Sequence, residues 1–270
     1  MGSDNKAISE PVNSLKKDDH KLPISVFIIA QDEEANIARL LPCLRQFDEV
    51  IVVDSGSHDN TPAVAQSHGA NLYRQNWLGY AAQKAYAMSK CRNQWVLNLD
   101  ADEEISEAFI TELKRIISLP KVNAARFERD DLFMGKVPPA WLKKPTNLRL
   151  YRKKFAYFDV ENMVHESAKV SGQQLRSKLA FTHYGYNDIY TLVEKNNHYS
   201  SLKSLEKYQQ GKSASLLKLV MIFPFEFLRK YLLQRYFTFG RRGLVLAIIN
   251  AFYAFLKEAK LQEKYLIRKP

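Results

Sequence analysis

Asn98-Leu99-Asp100-Ala101-Asp102-Glu103-Glu104 follows directly on Trp95-Val96-Leu97, so an apolar run, Trp95 to Leu99, delivers two carboxylates, Asp100 and Asp102, at its end. A run of this type and length reads as a buried strand, and Ser106 followed by Glu107 reads as the cap of a helix just beyond it. The acids therefore sit in a strand-to-helix turn, and such turns at the carboxyl ends of parallel strands are where open α/β sheets bind ligands. Carboxylates this close repel one another, and a cation would hold them together. Hard oxygen ligands suit Mg²⁺ or Mn²⁺. The same residues also suit an acidic, solvated loop that only favours the next helix through its dipole.

Upstream, Ile24 to Ala30 is a β-branched apolar run with the look of a central strand, and Ile37, Leu40, Leu41 and Leu44 then share one helical face. Val50 to Val53 is a second short strand ending at Asp54-Ser55-Gly56-Ser57, after which Thr61-Pro62 reads as N-cap and first helical residue. Ala70 to Tyr73 and Tyr80 to Cys91 supply a third strand and a helix carrying Gln83 and Lys84. Strand and helix alternate, as in a mostly parallel sheet. Three strand ends carry acids: Asp32 and Glu33, then Asp54, then Asp100 and Asp102. In a doubly wound sheet these ends line one crevice. No GxGxxG or Walker A sequence is present, which removes support for the usual dinucleotide and P-loop readings.

Downstream of a helix near Glu107 to Leu119 come short strands at Ala124 to Arg129, Leu148 to Arg152, Ser167 to Val170 and Lys178 to His183. Between the first two lies Gly135 to Pro145, with Pro138, Pro139, Trp141 and Pro145, a mobile loop by composition. Trp141 suits either surface packing or contact with a substrate. From Asn187 the chain is helical, with Ile189, Leu192, Val193, Tyr199, Leu202, Leu205 and Tyr208 at helical spacing. Leu216 to Leu228 and Leu244 to Leu256 are apolar but shorter than the ~20 residues a bilayer span needs. Lys218, Arg229, Lys230, Arg235, Arg241 and Arg242 around them give an interfacial character, although an ordinary buried helical pair would carry a similar pattern.

The net charge of +11 is concentrated at one end: from Tyr184 onward there are 15 Lys and Arg against 6 Asp and Glu. Such a surplus meets either nucleic acid or an anionic membrane face. The aromatics of this region, Phe223, Phe225, Phe227, Tyr231, Phe252 and Tyr253, lie among aliphatics, whereas base stacking needs them on an open sheet or groove. That favours the membrane and no nucleic-acid partner. Met1 to Lys21 is polar and lacks an apolar h-region, so a cytoplasmic protein with a flexible N-terminus is expected. Cys43 and Cys91, each in an apolar helical pattern, fit reduced core thiols.

Taken together, Ala30-Gln31-Asp32-Glu33-Glu34, Val52-Val53-Asp54-Ser55-Gly56-Ser57, Trp77-Leu78-Gly79-Tyr80 with Gln83-Lys84, and Leu97 to Glu103 resemble the family 2 inverting glycosyltransferases in order and spacing. More narrowly the chain resembles bacterial lipopolysaccharide inner-core β-1,4-glucosyltransferases, which continue with an Arg-Leu-aromatic strand, here Arg149-Leu150-Tyr151, and a Val-His-Glu, here Val164-His165-Glu166. Asp32 stands where the family commonly has Asn. The resemblance implies an α/β, Rossmann-like nucleotide-sugar-binding (GT-A type) catalytic domain over residues 23–185. It is preceded by a loose segment, 1–22, and followed by a basic amphipathic helical region, 186–270, that associates with the membrane.

The same resemblance implies a UDP-sugar donor held by Ala30, Asp32, Glu33, Asp54, Lys84, Asp100 and Ala101, with Glu33 and Asp54 on nucleobase and ribose. Asp102, with Asp100, would hold Mn²⁺ or Mg²⁺. Lys84 also suits a solvated helix lysine. Trp141, Arg149 and His165 would touch donor or acceptor. The expected reaction moves glucose from UDP-glucose to a lipid-linked heptose of the lipopolysaccharide core. An inverting displacement also needs a general base on the face of the sugar opposite the leaving group, where Glu166 is the first candidate and Asp130 and Asp131 the next. Glu166 could equally pair with an arginine such as Arg149. Rival readings are transfer to a polyprenyl phosphate or another glycan, a sugar-binding scaffold without turnover, and a basic nucleic-acid-binding module.

Overall fold

The structure, a computed structural model, describes residues 21–160, 167–185 and 188–267. The first half is built of βα units: β1 (Leu22–Ala30), α1 (Glu34–Leu40), β2 (Phe47–Asp54), α2 (Thr61–Ser67), β3 (Asn71–Arg74), α3 (Tyr80–Lys90) and β4 (Trp95–Asn98). β1 pairs in parallel with β2 on one side and β4 on the other, and β2 pairs in parallel with β3. Parallel pairing follows from helical crossovers, and burial on both faces explains the near-continuous apolar strands. Side chains alternate across the sheet: Ile24, Val26 and Ile28 join Ile37, Leu40, Ala65, Phe109 and Leu113 in one core, while Phe27 joins Ala81, Ala87 and Cys91 in another.

The second half adds β5 (Glu103–Glu104), α4 (Glu107–Ile117), β6 (Val122–Asp131), β7 (Thr146–Arg152), β8 (Ala156–Tyr157), β9 (Lys169–Val170) and β10 (Gln173–His183). Ser106 caps α4 as expected, accepting from the Phe109 amide at 3.2 Å. At α2 the cap differs from the expectation: Thr61 is the first helical residue, and its amide donates to Asp59, two residues earlier, at 2.9 Å. The eight-stranded order is β3-β2-β1-β4-β7-β6-β10-β5. β7 runs antiparallel to both β4 and β6, so β6 recovers the direction of β4, and β10 pairs with it in parallel. The ends of β1, β4, β6 and β10 therefore open on the same edge of the sheet.

Three helices complete the chain: α5 (Ile189–Gln209), α6 (Leu216–Leu228) and α7 (Gly240–Ile267). Among the described residues no helix is long and apolar enough to cross a membrane. The loop after β6 is fastened to this region, since Arg242 donates to the Met134 carbonyl at 2.9 Å and the Lys143 amide donates to the Gln234 carbonyl at 3.3 Å. Both cysteines are free thiols, and burial beside Glu49 pushes Cys91 up to about 12.

Candidate active site

A cavity of about 670 Å³ opens at that edge of the sheet, walled by Ala30, Asp32, Glu33, Asp100, Ala101 and Asp102 from the ends of β1 and β4. Asp32 adopts φ 54°, a left-handed conformation that Asn and Asp tolerate better than other side chains. Its amide donates to Ser57 Oγ at 2.9 Å, and its carboxylate accepts from the His58 amide at 2.6 Å. Asn and Asp both meet this backbone demand, so the residue here is compatible with the turn. Glu33 turns toward Asn36, 2.5 Å away. Burial raises its pKa, and the Asn36 hydrogen bond opposes the rise.

Asp54 does not line this cavity. Its carboxylate accepts from the amides of Gly56 and Ser57 and from Ser57 Oγ, which folds the turn in which Gly56 takes φ 97°. Gln83 then bridges this turn to the next segment, donating to Ser55 Oγ at 2.9 Å and to the Gln75 carbonyl at 3.0 Å. Asp54 shapes the rim rather than standing on it.

Asp100 and Asp102, two residues apart in sequence, have different surroundings. Asp100 receives Lys84 Nζ at 2.8 Å and Arg149 Nη2 at 2.6 Å. Burial favours its neutral form, yet the two cations outweigh burial and hold its pKa well below the usual carboxylate range. Lys84 is buried on the cavity wall and is not the solvated helix lysine its sequence also suited. Arg149 is buried too, bridging Asp100 and Glu103 from beneath, so it acts as a counter-ion to the acidic turn and not as an exposed contact. Glu103, fully buried, is pushed by desolvation up to about 7 despite Arg149.

Asp102 instead faces His183 at the end of β10, with Oδ2 and Nε2 3.3 Å apart. The other imidazole nitrogen lies 2.8 Å from Asp131 Oδ1 at the end of β6. Burial disfavours the imidazolium, but the two carboxylates raise the His183 pKa to about 9. The Asp131–His183–Asp102 line joins three strand ends. Of the acidic pair after β6, Asp130 is paired with Lys144 at 2.5 Å, and Asp131 with Arg129 at 2.8 Å. Trp141 is 71% exposed and lies on the wall of neither this cavity nor the one beside Asp131. His165 and Glu166 lie outside the described residues, as does the N-terminal segment to residue 20.

The sequence marks neither His183 nor Lys195 and His198 of α5 as site residues, and Tyr199 only as part of a helical face, yet all four line the cavity. A signal for His183 was present: the strand read at Lys178 to His183 ends on an ionisable side chain, as the acidic strands do. In the sheet His183 lies level with Asp131. For the α5 residues no local pattern exists, because the crossing of that helix over the sheet edge is set by tertiary packing.

The glycosyl transferase family 2 model matches residues 25–177. An uncharacterized glycosyltransferase of Rickettsia typhi is 38% identical over 255 residues, covering 89% of this chain and 87% of the relative. The lipopolysaccharide core biosynthesis glycosyltransferase LpsC of Rhizobium meliloti is 30% identical over 256 residues, covering 92% and 95%. Among solved structures, S. aureus TarS 1-349 aligns over 89% of this chain and 91% of its own, with 16% identity and a TM-score of 0.48.

Proposed function

The chain belongs to glycosyl transferase family 2, and from that premise we propose that it transfers glucose from UDP-glucose to a heptose of the lipopolysaccharide inner core at the inner face of the cytoplasmic membrane. The observation that carries the donor half of this reading is the 670 Å³ cavity at the strand ends, with Asp32 and Glu33 on one wall and Asp100, Asp102 and Lys84 on the other. The LpsC relative, similar across nearly its whole length, supports the core-glycan acceptor.

The donor set fits a divalent cation in a particular way. Both oxygens of Asp100 are engaged by Lys84 and Arg149, which leaves Asp102 as the principal ligand, and His183 beside it could join only if the cation displaced the proton that Asp102 and Asp131 hold on the ring. Carboxylate and imidazole suit Mn²⁺, and Asp131 behind the ring would fix the imidazole orientation. Among the described residues no three carboxylates, imidazoles or thiols gather around one point. Diphosphate oxygens of the donor would supply the remaining ligands, as where a metal meets a phosphate substrate. The cation, when bound, neutralises charge on the departing diphosphate. Lys84 holds Asp100 in its ionised form at the cavity wall. Proton removal from the acceptor hydroxyl is assigned to Glu166, because the Asp130 carboxylate is already engaged by Lys144, and that of Asp131 by Arg129 and His183.

The exposed apolar face of α6 and the basic residues around it support membrane docking through residues 213–256.

Thermal unfolding of the purified chain tests the reading. UDP with Mn²⁺ is expected to raise the melting temperature, and Mn²⁺ alone to leave it unchanged. Asp102→Asn should abolish the Mn²⁺ increment and lower transfer by about 10²–10³. Glu166→Gln should keep the UDP shift while losing transfer. A full-sized shift with Mn²⁺ alone, or turnover by Asp102→Asn at the wild-type rate, would refute the assignment.

A further inference from the structure

A second cavity, of about 340 Å³, lies on the other side of the His183–Asp131 contact from the donor cavity. Asp131 is on its wall, and so are Arg129, Lys143, Lys144 and Lys230. Four cations thus surround one wall carboxylate. Arg129 pairs with Asp131, and Lys144 with Asp130, so the four wall cations, Lys143 and Lys230 among them, outnumber these two carboxylates by two. Lys230 comes from the turn between α6 and α7, with its ammonium 5.6 Å from the Tyr236 ring. Burial lowers its pKa and Arg229 adds to the lowering, while Glu226 and Asp131 oppose it without cancelling it. A desolvated ammonium in a cavity with a surplus of two positive charges is stabilised by an anion. A carboxylate would bring one charge, whereas a phosphate monoester brings about −1.5 to −2. The volume falls within the ~300–1,000 Å³ of ligand pockets, more than a bare ion requires. The side chains come from β6, from the loop ahead of β7 and from the helical region, so the sheet and the helices build the cavity jointly.

We propose that this cavity binds a phosphate group carried by the acceptor, with Lys230 and Lys143 as its principal contacts, and so presents a phosphorylated glycan or glycolipid next to the donor cavity. The proposal rests on the glycosyltransferase reading only for calling the ligand an acceptor. The probe is inorganic phosphate, titrated calorimetrically into the full chain saturated with UDP and Mg²⁺. One binding event is expected, weakened about tenfold in Lys230→Gln and recovered in Lys230→Arg, with UDP affinity equal in all three. Lys143→Gln, on an exposed loop, should weaken phosphate several-fold and decides the matter if Lys230→Gln does not fold.

Wild-type phosphate affinity in these Gln variants, or phosphate that binds only by displacing UDP, overturns the proposal. Phosphatidylcholine vesicles with and without phosphatidylglycerol separate the sources. Vesicle binding is expected to survive Lys230→Gln. Its loss, in a chain that shows no event with inorganic phosphate, would assign the cavity to a lipid headgroup and overturn the proposal. If UDP itself fails to bind, the donor reading falls, and the phosphate titration still decides this one.

Discussion

In the sheet half the largest fully buried side chains are Tyr151, Phe27, Phe109, Phe127, Phe133 and Phe181, whereas α5 and α7 bury mostly small or polar residues, Ser200, Ser204, Gly243, Ala247, Ala251, Ala254 and Glu258, together with Leu192 and Leu261. Many of their other large apolar residues, among them Tyr190, Leu202, Leu205, Ile248 and Phe252, are exposed. Among the described residues α6 buries none of its side chains, and Leu216 and Leu217 are 72% and 74% exposed. The sheet half is arranged as water requires: most of its apolar area is hidden, and the buried carboxylates Glu49, Asp54 and Glu103 each have a hydrogen-bond partner. The helical half is arranged in the opposite sense, with small residues allowing close backbone approach and an apolar surface larger than solitary exposed leucines would make. The charges along it are mostly basic, as an anionic surface would select. One chain therefore carries two solvent preferences, and the candidate active site lies where they meet, with Lys195, His198 and Tyr199 of α5 facing Asp100 and Asp102.

The largest effect that separates the halves is expected at Arg149. It is buried with Asp100 and Glu103, so Arg149→Met leaves a buried acidic pair with Lys84 as its remaining cation. Breaking such an arrangement costs about 3–5 kcal/mol, which equilibrium urea unfolding would read as a lower midpoint. A midpoint unchanged from wild type would mean that the sheet half tolerates an unpaired charge, and the contrast drawn above would lose its basis.

The helical half should respond in the reverse manner. Leu216→Ser with Leu217→Ser removes two exposed leucines, so stability should change by no more than about 0.5 kcal/mol per site. Flotation with phosphatidylglycerol-containing vesicles should fall by roughly a hundredfold, from about 1.5 kcal/mol for each leucine that leaves the lipid interface. If the pair of substitutions destabilises the fold and leaves flotation intact, these leucines serve a protein contact and not a membrane.

Much of the sheet half is legible in the sequence, because its decisive contacts are repeated locally. Apolar runs mark β1, β2 and β4, Ser106 marks the start of α4, and acids mark the strand ends. What escapes is long-range pairing. The partners of Arg149 lie 46 and 49 positions away, and Asp131 lies 52 positions from His183. No local window relates them. The direction of β7 escapes for a similar reason, since an apolar strand buried on both faces has the same pattern in either orientation. In α5 the difficulty is of another kind. Of the residues at helical spacing Leu192 is buried, yet Ile189, Val193, Tyr199, Leu202 and Leu205 are exposed. Periodicity tells which residues share a face and not what that face meets.

The smallest effect is expected at Ser204, and it tests whether the serines of α5 are there for their hydroxyls or for their size. Ser204 is fully buried, and its Oγ donates to the Ser201 carbonyl at 2.9 Å, a bond within its own helix to a carbonyl one turn back. Such back-bonding contributes little to holding α5 against α7, and alanine has the higher helix propensity by roughly 0.5 kcal/mol. Ser204→Ala should therefore leave stability unchanged or raise it by up to about 0.5 kcal/mol, with vesicle flotation as in wild type. Ser204→Leu adds volume where the helix has no room and should cost about 1–3 kcal/mol. The two variants together separate the explanations in one set of urea titrations. If alanine destabilises as much as leucine, the hydroxyl is the selected feature, and the helical half is held by polar contacts in the way the sheet half is held by apolar ones. If only leucine destabilises, close approach of the helices is what the small residues provide, and the large apolar side chains are left on the outside because the inside has no space for them.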